Sequence, residues 1–241
     1  MSLALWAVHI PLIEKTVGVT YAQLGGLLIF SALGGFVSMQ LAGWLLDHIG
    51  AKTTTLLGGI VVGMSLMGPA FADSVFWLAL AIFGIGFGLS GVDVPMNAAA
   101  LQVEKANKRA IFTFFHLFWS VGGLVGAALG FWTISLGFVQ SETLPVAGLT
   151  LSALAVFFFR WLLPNEINAT TENKAENKAA TKSNRRVFAF VLLAGLMAAS
   201  GGIIEGVAQD WSALYLRDVQ GFSVAMAAWG LAAFNIGMIL G

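Results

Sequence analysis

The chain reads as an all-α polytopic membrane protein, and three observations predict that class. Of its 241 residues, 58% are hydrophobic and only 10% are charged. The apolar residues come in successive stretches, each near the length that crosses a bilayer, and the charges fall in the short segments between them. A spanning helix needs about 20 mostly apolar residues, and a backbone in hydrocarbon must satisfy its own hydrogen bonds, so such stretches are helices. The composition, with a mean hydropathy of +0.86, excludes an ordinary soluble domain, a disordered chain and a nucleic-acid binder. The absence of cysteine removes disulfides, thiol nucleophiles and cysteine metal sites.

The first span covers about residues 1–13 and reads as the latter part of a helix, with neither a basic leader nor a cleavage site. The second covers 22–46, the third 53–72, the fourth 75–100, the fifth about 110–138, the sixth 144–163 and the seventh 187–215. An eighth begins at 225 and is incomplete at 241. Residues 164–186, rich in Asn, Lys, Glu, Ala and Thr, read as a flexible linker. The expected organisation is a six-helix bundle over 1–163, a linker over 164–186 and the start of a second bundle over 187–241.

Alternating the connections between the two sides puts Lys52, Lys105, Lys108, Arg109, Arg160, Lys174, Lys178, Lys182, Arg185 and Arg186 on one side and only Lys15 and Arg217 on the other. That bias makes the first side cytoplasmic, with the linker, and implies a multi-pass protein of the plasma (inner) membrane. The chain also repeats itself. Gly18-Val-Thr-Tyr-Ala22 follows the first span and Gly221-Phe-Ser-Val-Ala225 follows the seventh, an offset of 203 residues. An even number of spans separates the copies, so the repeat is parallel, as in transporters built from two similar halves.

The connection between the second and third spans carries Gly43, Asp47, Gly50 and Lys52 in the pattern G-x3-D-x2-G-x-K. It resembles the cytoplasmic signature of the major facilitator superfamily, in which the acid and basic residues hold helix ends together in one conformation. His48 and Ala51 stand where that family usually has Arg or Lys. DVPMNAAALQVE from Asp93, FHLFWSVGGLVGAALG from Phe115 and the stretch from Glu205 to Arg217 are similar to the branch containing fucose–proton symporters. The resemblance implies a major-facilitator-type helical bundle, here the first six-helix half plus the start of the second. In the complete fold, a monomer of twelve helices, two halves rock around a central site.

An ionisable group at membrane depth costs at least ~2.5–3.5 kcal/mol, so Asp93, His116 and Glu205 are functional candidates. Asp93 and Asn97 are four apart and share a helix face, which Ser90 extends. An antiparallel turn near residue 106 sets Asn97 near the depth of His116, and Asp93 near Trp119 and Ser120. The resemblance implies that Asp93, one methylene shorter than the symporters' Glu, carries the coupling proton. The alternative is that Asp93, Asn97 and His116 only tie two helices together. Glu205 and Gln209, again four apart, face substrate or gate its entry, or else Glu205 is bonded to neighbouring backbone. Ser200, Gly201 and Gly202 just before them can loosen the helix. Asp210, Trp211 and Arg217 read as interfacial anchors, and Trp6 and His9 as lining the outer mouth. Trp119 can stack on a sugar face. GFGLSG at 86–91 matches a dinucleotide pattern but lies in an apolar helix, where glycines serve close packing, as do Gly122, Gly126 and Gly130.

No catalytic constellation or metal-ligand spacing appears in the sequence, so an enzyme is not expected. The expected function is secondary active transport of a small polar solute, such as a sugar, driven by the proton gradient with no cofactor. The expected partners are the lipid bilayer and that solute, with no nucleic acid. The alternative is a non-transporting truncated or half-transporter acting as a membrane binding or assembly partner.

Overall fold

Glycines at helix contacts determine how this chain packs. The computed structural model describes residues 1–108, 112–162 and 185–240. Among them lie α1 (Ser2–Val17), α2 (Tyr21–Met67), α3 (Val75–Asn107), α4 (Phe112–Ser135), α5 (Gln140–Phe158), α6 (Arg185–Asp218) and α7 (Val224–Leu240). Short 3-10 turns cover Gly68–Ala70 and Phe159–Trp161, and no strand occurs among the described residues. The protein is thus an all-α membrane protein. The linker expected at 164–186 falls outside the described residues except for its last two.

The second and third spans are two helices, as expected, and they meet at a sharp corner with no longer loop between them. They are the two arms of α2, broken at the single residue Gly50, whose φ of 78° and ψ of 168° suit glycine alone. The reversal is visible in the packing. Along the first arm Ser31 meets Gly86 and Ser38 meets Gly91, whereas along the second Gly58 meets Gly91 and Ser65 meets Gly84. The arms therefore run antiparallel, one with α3 and one against it. His48 braces the turn by stacking on Trp44 at 4.2 Å, its Nδ1 2.6 Å from the Trp44 carbonyl oxygen.

Helix limits differ from expectation where polar partners extend them. α1 runs to Val17 rather than 13 because Thr16 accepts a hydrogen bond from Gln140 Nε2 at 2.8 Å and Glu14 pairs with Arg217 at 3.1 Å. Both groups look like the end of a span in the sequence and are in fact held by other helices. α3 continues to Asn107 through a polar turn beyond the apolar stretch, ending at Lys108 with φ 51°. α5 starts at Gln140, where Glu142 accepts from the Val139 N–H at 3.1 Å.

The repeated loops share one backbone device. Gly18 and Gly221 have φ of 75° and 73°. Two residues later Thr20 Oγ1 accepts from the Gln23 N–H at 3.3 Å, and Ser223 Oγ accepts from the Met226 N–H at 3.2 Å. A left-handed glycine closes the first helix and a hydroxyl caps the next.

α1 is the centre of the bundle. Leu5, Val8, Ile10 and Ile13 are each at most 2% exposed, and α2, α4, α5, α6 and α7 all pack on it. Lipid provides no hydrophobic drive for helices to associate, so close backbone approach must supply the attraction. Gly126 and Gly130 of α4 press on Ala4 and Val8. The GFGLSG glycines likewise pack, Gly88 against Val62 and Gly91 against Gly58, as expected for a helix contact. Away from these seams the surface is apolar, with Phe36, Phe76, Trp132, Val146 and Phe190 more than half exposed. Among the described residues five helices are long and apolar enough to cross a membrane, one of them the two-armed α2; α7 is shorter.

A Cβ at Gly88 would lie 2.5 Å from Val62 Cα, whereas one at Gly26 meets nothing within 4 Å. Gly88→Val is therefore expected to destabilise by about 1–3 kcal/mol through overpacking. A lowered melting temperature in detergent should show it, with Gly26→Ala as the neutral control.

Candidate functional site

Four of the polar residues singled out in the sequence meet in one cavity. It measures about 310 Å³ and lies where α3 and α4 face α6 and α7. Helical spacing puts Ser90, Asp93 and Met96 of α3 on its wall. The antiparallel course of α4 brings Trp119 and Ser120 to the same depth, and α6 adds Glu205. Ser120 is 4% exposed and Trp119 39%, so the hydroxyl is deep and the indole reaches outward. Two carboxylates from parts of the chain more than a hundred residues apart thus share one small space.

Gln209 is not on the cavity wall. Its Nε2 donates to Glu205 Oε1 at 2.7 Å, and it is 8% exposed. The bond fixes the Glu205 side chain along α6 while using one of its two carboxylate oxygens. Asn97 is also off the wall, and its Oδ1 is buried with no hydrogen-bond partner among the described residues. His116 falls on α4, but its side chain lies outside the described residues. Ser200, Gly201 and Gly202 leave α6 unbroken; Ser200 Oγ donates to the Met197 carbonyl at 2.8 Å, and the glycines stay helical. A wider crevice of about 430 Å³ beside α1, α4 and α5 is largely apolar and brings no such pair of acids together.

The signature lies at the corner between the two arms of α2. Gly50 makes the reversal, Lys52 Nζ sits 4.7 Å from the centre of the Phe159 ring, and Gly43 has open space around it. Asp47 lies one turn before Gly50, at the end of the first arm. The cation–π contact holds the start of the second arm onto the end of α5.

The end that the charge bias assigns to the outside is sealed by α1 against α6. Arg217 Nη1 donates to the Pro11 carbonyl at 2.8 Å and Nη2 to Glu14 Oε2 at 3.1 Å. Arg217 Nη2 also reaches Asp218 at 2.9 Å, and Asp218 accepts from the Tyr21 hydroxyl at 2.7 Å. Deeper in, Asp210 accepts from the Trp6 indole. Trp6 and His9 are 2% and 0% exposed, so they plug this region and line no open mouth. Asp210, Trp211 and Arg217, expected as interfacial anchors, also make contacts within the bundle. Asp210 and Arg217 bind α1, and Trp211 packs near Gly25 of α2. Sequence reading missed the bridge because each residue was weighed on its own helix; the 203-residue offset between Glu14 and Arg217 was the available signal.

The chain matches the family described as Major Facilitator Superfamily over residues 1–241. It is 31% identical, over 99% of its length, to an uncharacterized transporter of Sinorhizobium fredii, covering 61% of that protein. It is 29% identical over its full length to an uncharacterized MFS-type transporter of Yersinia pestis, of which it covers 60%. A protein of Cupriavidus necator named Probable sulfoacetate transporter SauU is 24% identical over 92% of the chain and 55% of its own length. The chain thus spans about three-fifths of the length of the first curated relatives it matches.

Removing the indole donor strands a carboxylate against buried surface. Trp6→Phe is expected to lower stability by about 1–3 kcal/mol, the cost of leaving a buried polar group unpaired. Thermal unfolding in detergent measures it, and Asp210→Asn in the same background should recover part of the loss.

Proposed function

This chain belongs to the Major Facilitator Superfamily over its whole length, and from that premise we propose that the protein is a secondary active transporter. It moves a small polar solute, such as a sugar, by alternating access and couples that movement to protons. The observation that carries the reading is the convergence of Asp93, Trp119, Ser120 and Glu205 on one cavity, sealed at one end by α1 and α6. In this reading residues 1–163 form one half, 164–186 a cytoplasmic linker and 187–241 the start of the other half, in a plasma (inner) membrane.

Asp93 and Glu205 bring two acidic side chains to one small cavity. Asp93 is the proton carrier in this scheme: protonation removes a charge whose burial resists movement between the two sides. Gln209 keeps Glu205 aimed along α6 so that the second acid meets the solute. Trp119 offers a flat apolar face and Ser120 a hydroxyl, a combination suited to a sugar ring. The sulfoacetate relative is a poor guide to the solute. The cavity carries two acids and, among the described lining residues, no base, which disfavours an anion.

The test is uptake of a panel of radiolabelled monosaccharides by proteoliposomes containing the protein as its gene encodes it, under an imposed pH gradient. Asp93→Asn is expected to reduce uphill accumulation at least ~10-fold while its size-exclusion profile stays unchanged. Retention of uphill uptake by that variant removes Asp93 from the coupling role.

A further inference from the structure

Glu14 and Arg217 are separated by 203 residues, which is also the offset of the repeat that aligns Gly18 with Gly221 and Thr20 with Ser223. They are therefore equivalent positions in the two repeats. In a twofold arrangement a residue touches its own equivalent only on the axis. The Glu14–Arg217 pair thus marks the pseudo-twofold axis at the outer end, and the centre of whatever pathway runs along it. The next residues continue the pattern with charges in reverse order: Lys15 is equivalent to Asp218.

We propose that Glu14 and Arg217 form the latch of the outer mouth, an axial ion pair whose closure seals the cavity from outside and whose release opens it. The proposal deepens the transport reading, since a latch has a purpose only if the mouth opens. Three observations support it. Arg217 binds α1 twice, at the Pro11 carbonyl and at Glu14, and so fastens α6 directly to the central helix. Beneath it the Trp6–Asp210 hydrogen bond and the wholly buried His9 continue the same contact inward.

The third observation is one of magnitude. The side chains of Arg217 and Glu14 are 18% and 21% exposed. A pair that keeps some water contributes little net stability, so it can break and re-form within a transport cycle. A dry apolar seal at this level would open far less readily.

The latch is testable by cysteine labelling, because these 241 residues contain no cysteine and any cysteine that the gene encodes beyond them is first replaced by serine. Ala7 is 1% exposed and lies two helical turns before Glu14, on the same face of α1. Ala7→Cys therefore reports opening through its labelling by a membrane-impermeant maleimide added outside cells that express the protein as its gene encodes it. Glu14→Gln and Arg217→Gln are each expected to speed labelling about fivefold. Because the two positions are related by the axis, the exchange Glu14→Arg with Arg217→Glu restores complementary charge and is expected to return labelling to the parent rate.

Unchanged labelling in the single variants overturns the latch, and so does an exchanged pair that labels as fast as they do. Labelling needs no solute, so it separates this inference from the transport reading. A working latch with no uptake of any sugar counts against that reading and leaves the latch standing; uptake with unaltered labelling does the reverse.

Discussion

The structure depends on helix backbones coming close enough for dispersion and weak polar contacts to replace the hydrophobic drive that lipid does not supply. Glycine is what permits it. Gly58 and Gly91 bring the second arm of α2 onto α3, Gly63 and Gly148 bring it onto α5, and Gly126 brings α4 onto α1. Once these seams are tight, α1 is enclosed on all sides and the large apolar side chains are left on the outer surface. The two acids of the cavity are then left where α3 and α4 face α6 and α7.

That confinement links packing to chemistry. Asp93 and Glu205 would each be costly alone in hydrocarbon, and both open onto the same 310 Å³ space, where water or solute can solvate them. At the outer end the opposite solution is used. Arg217, Glu14, Asp218 and Tyr21 satisfy one another across the same junction. One junction therefore holds a polar cavity and, toward one end, a polar closure. The asymmetry between the two is a matter of partners: the closure pairs acids with a base, whereas the cavity brings two acids together.

Much of this was legible in the sequence because membrane helices are long and strongly apolar. The spans, the α3–α4 register that sets Asp93 beside Trp119 and Ser120, the i, i+4 pair of Glu205 and Gln209, and the glycine repeats all follow from a period of 3.6 residues. What was not legible depended on contacts between distant residues. The extension of α1 past residue 13 is stabilised by Gln140 and Arg217, which periodicity cannot connect to it. Gly50 reads as part of a loop, although its backbone makes the whole turn. Arg217 and Asp210 looked like surface anchors because polar residues at a span's end usually are. Asn97 shares a face with Asp93 in the sequence, yet its position one turn further along α3 takes it off the cavity wall.

The central claim is that the carboxylate-lined cavity opens in turn to the two sides of the membrane. Ser90 lines that cavity beside Asp93, so Ser90→Cys reports on it directly. Its modification by impermeant thiol reagents, measured separately in right-side-out and inside-out vesicles, tests the claim most directly. The account expects labelling from both faces, with the outward rate abolished and the inward rate kept when a bifunctional reagent tethers cysteines placed at positions 14 and 217. Labelling from one face only, whatever the tether or the solutes present, would contradict it.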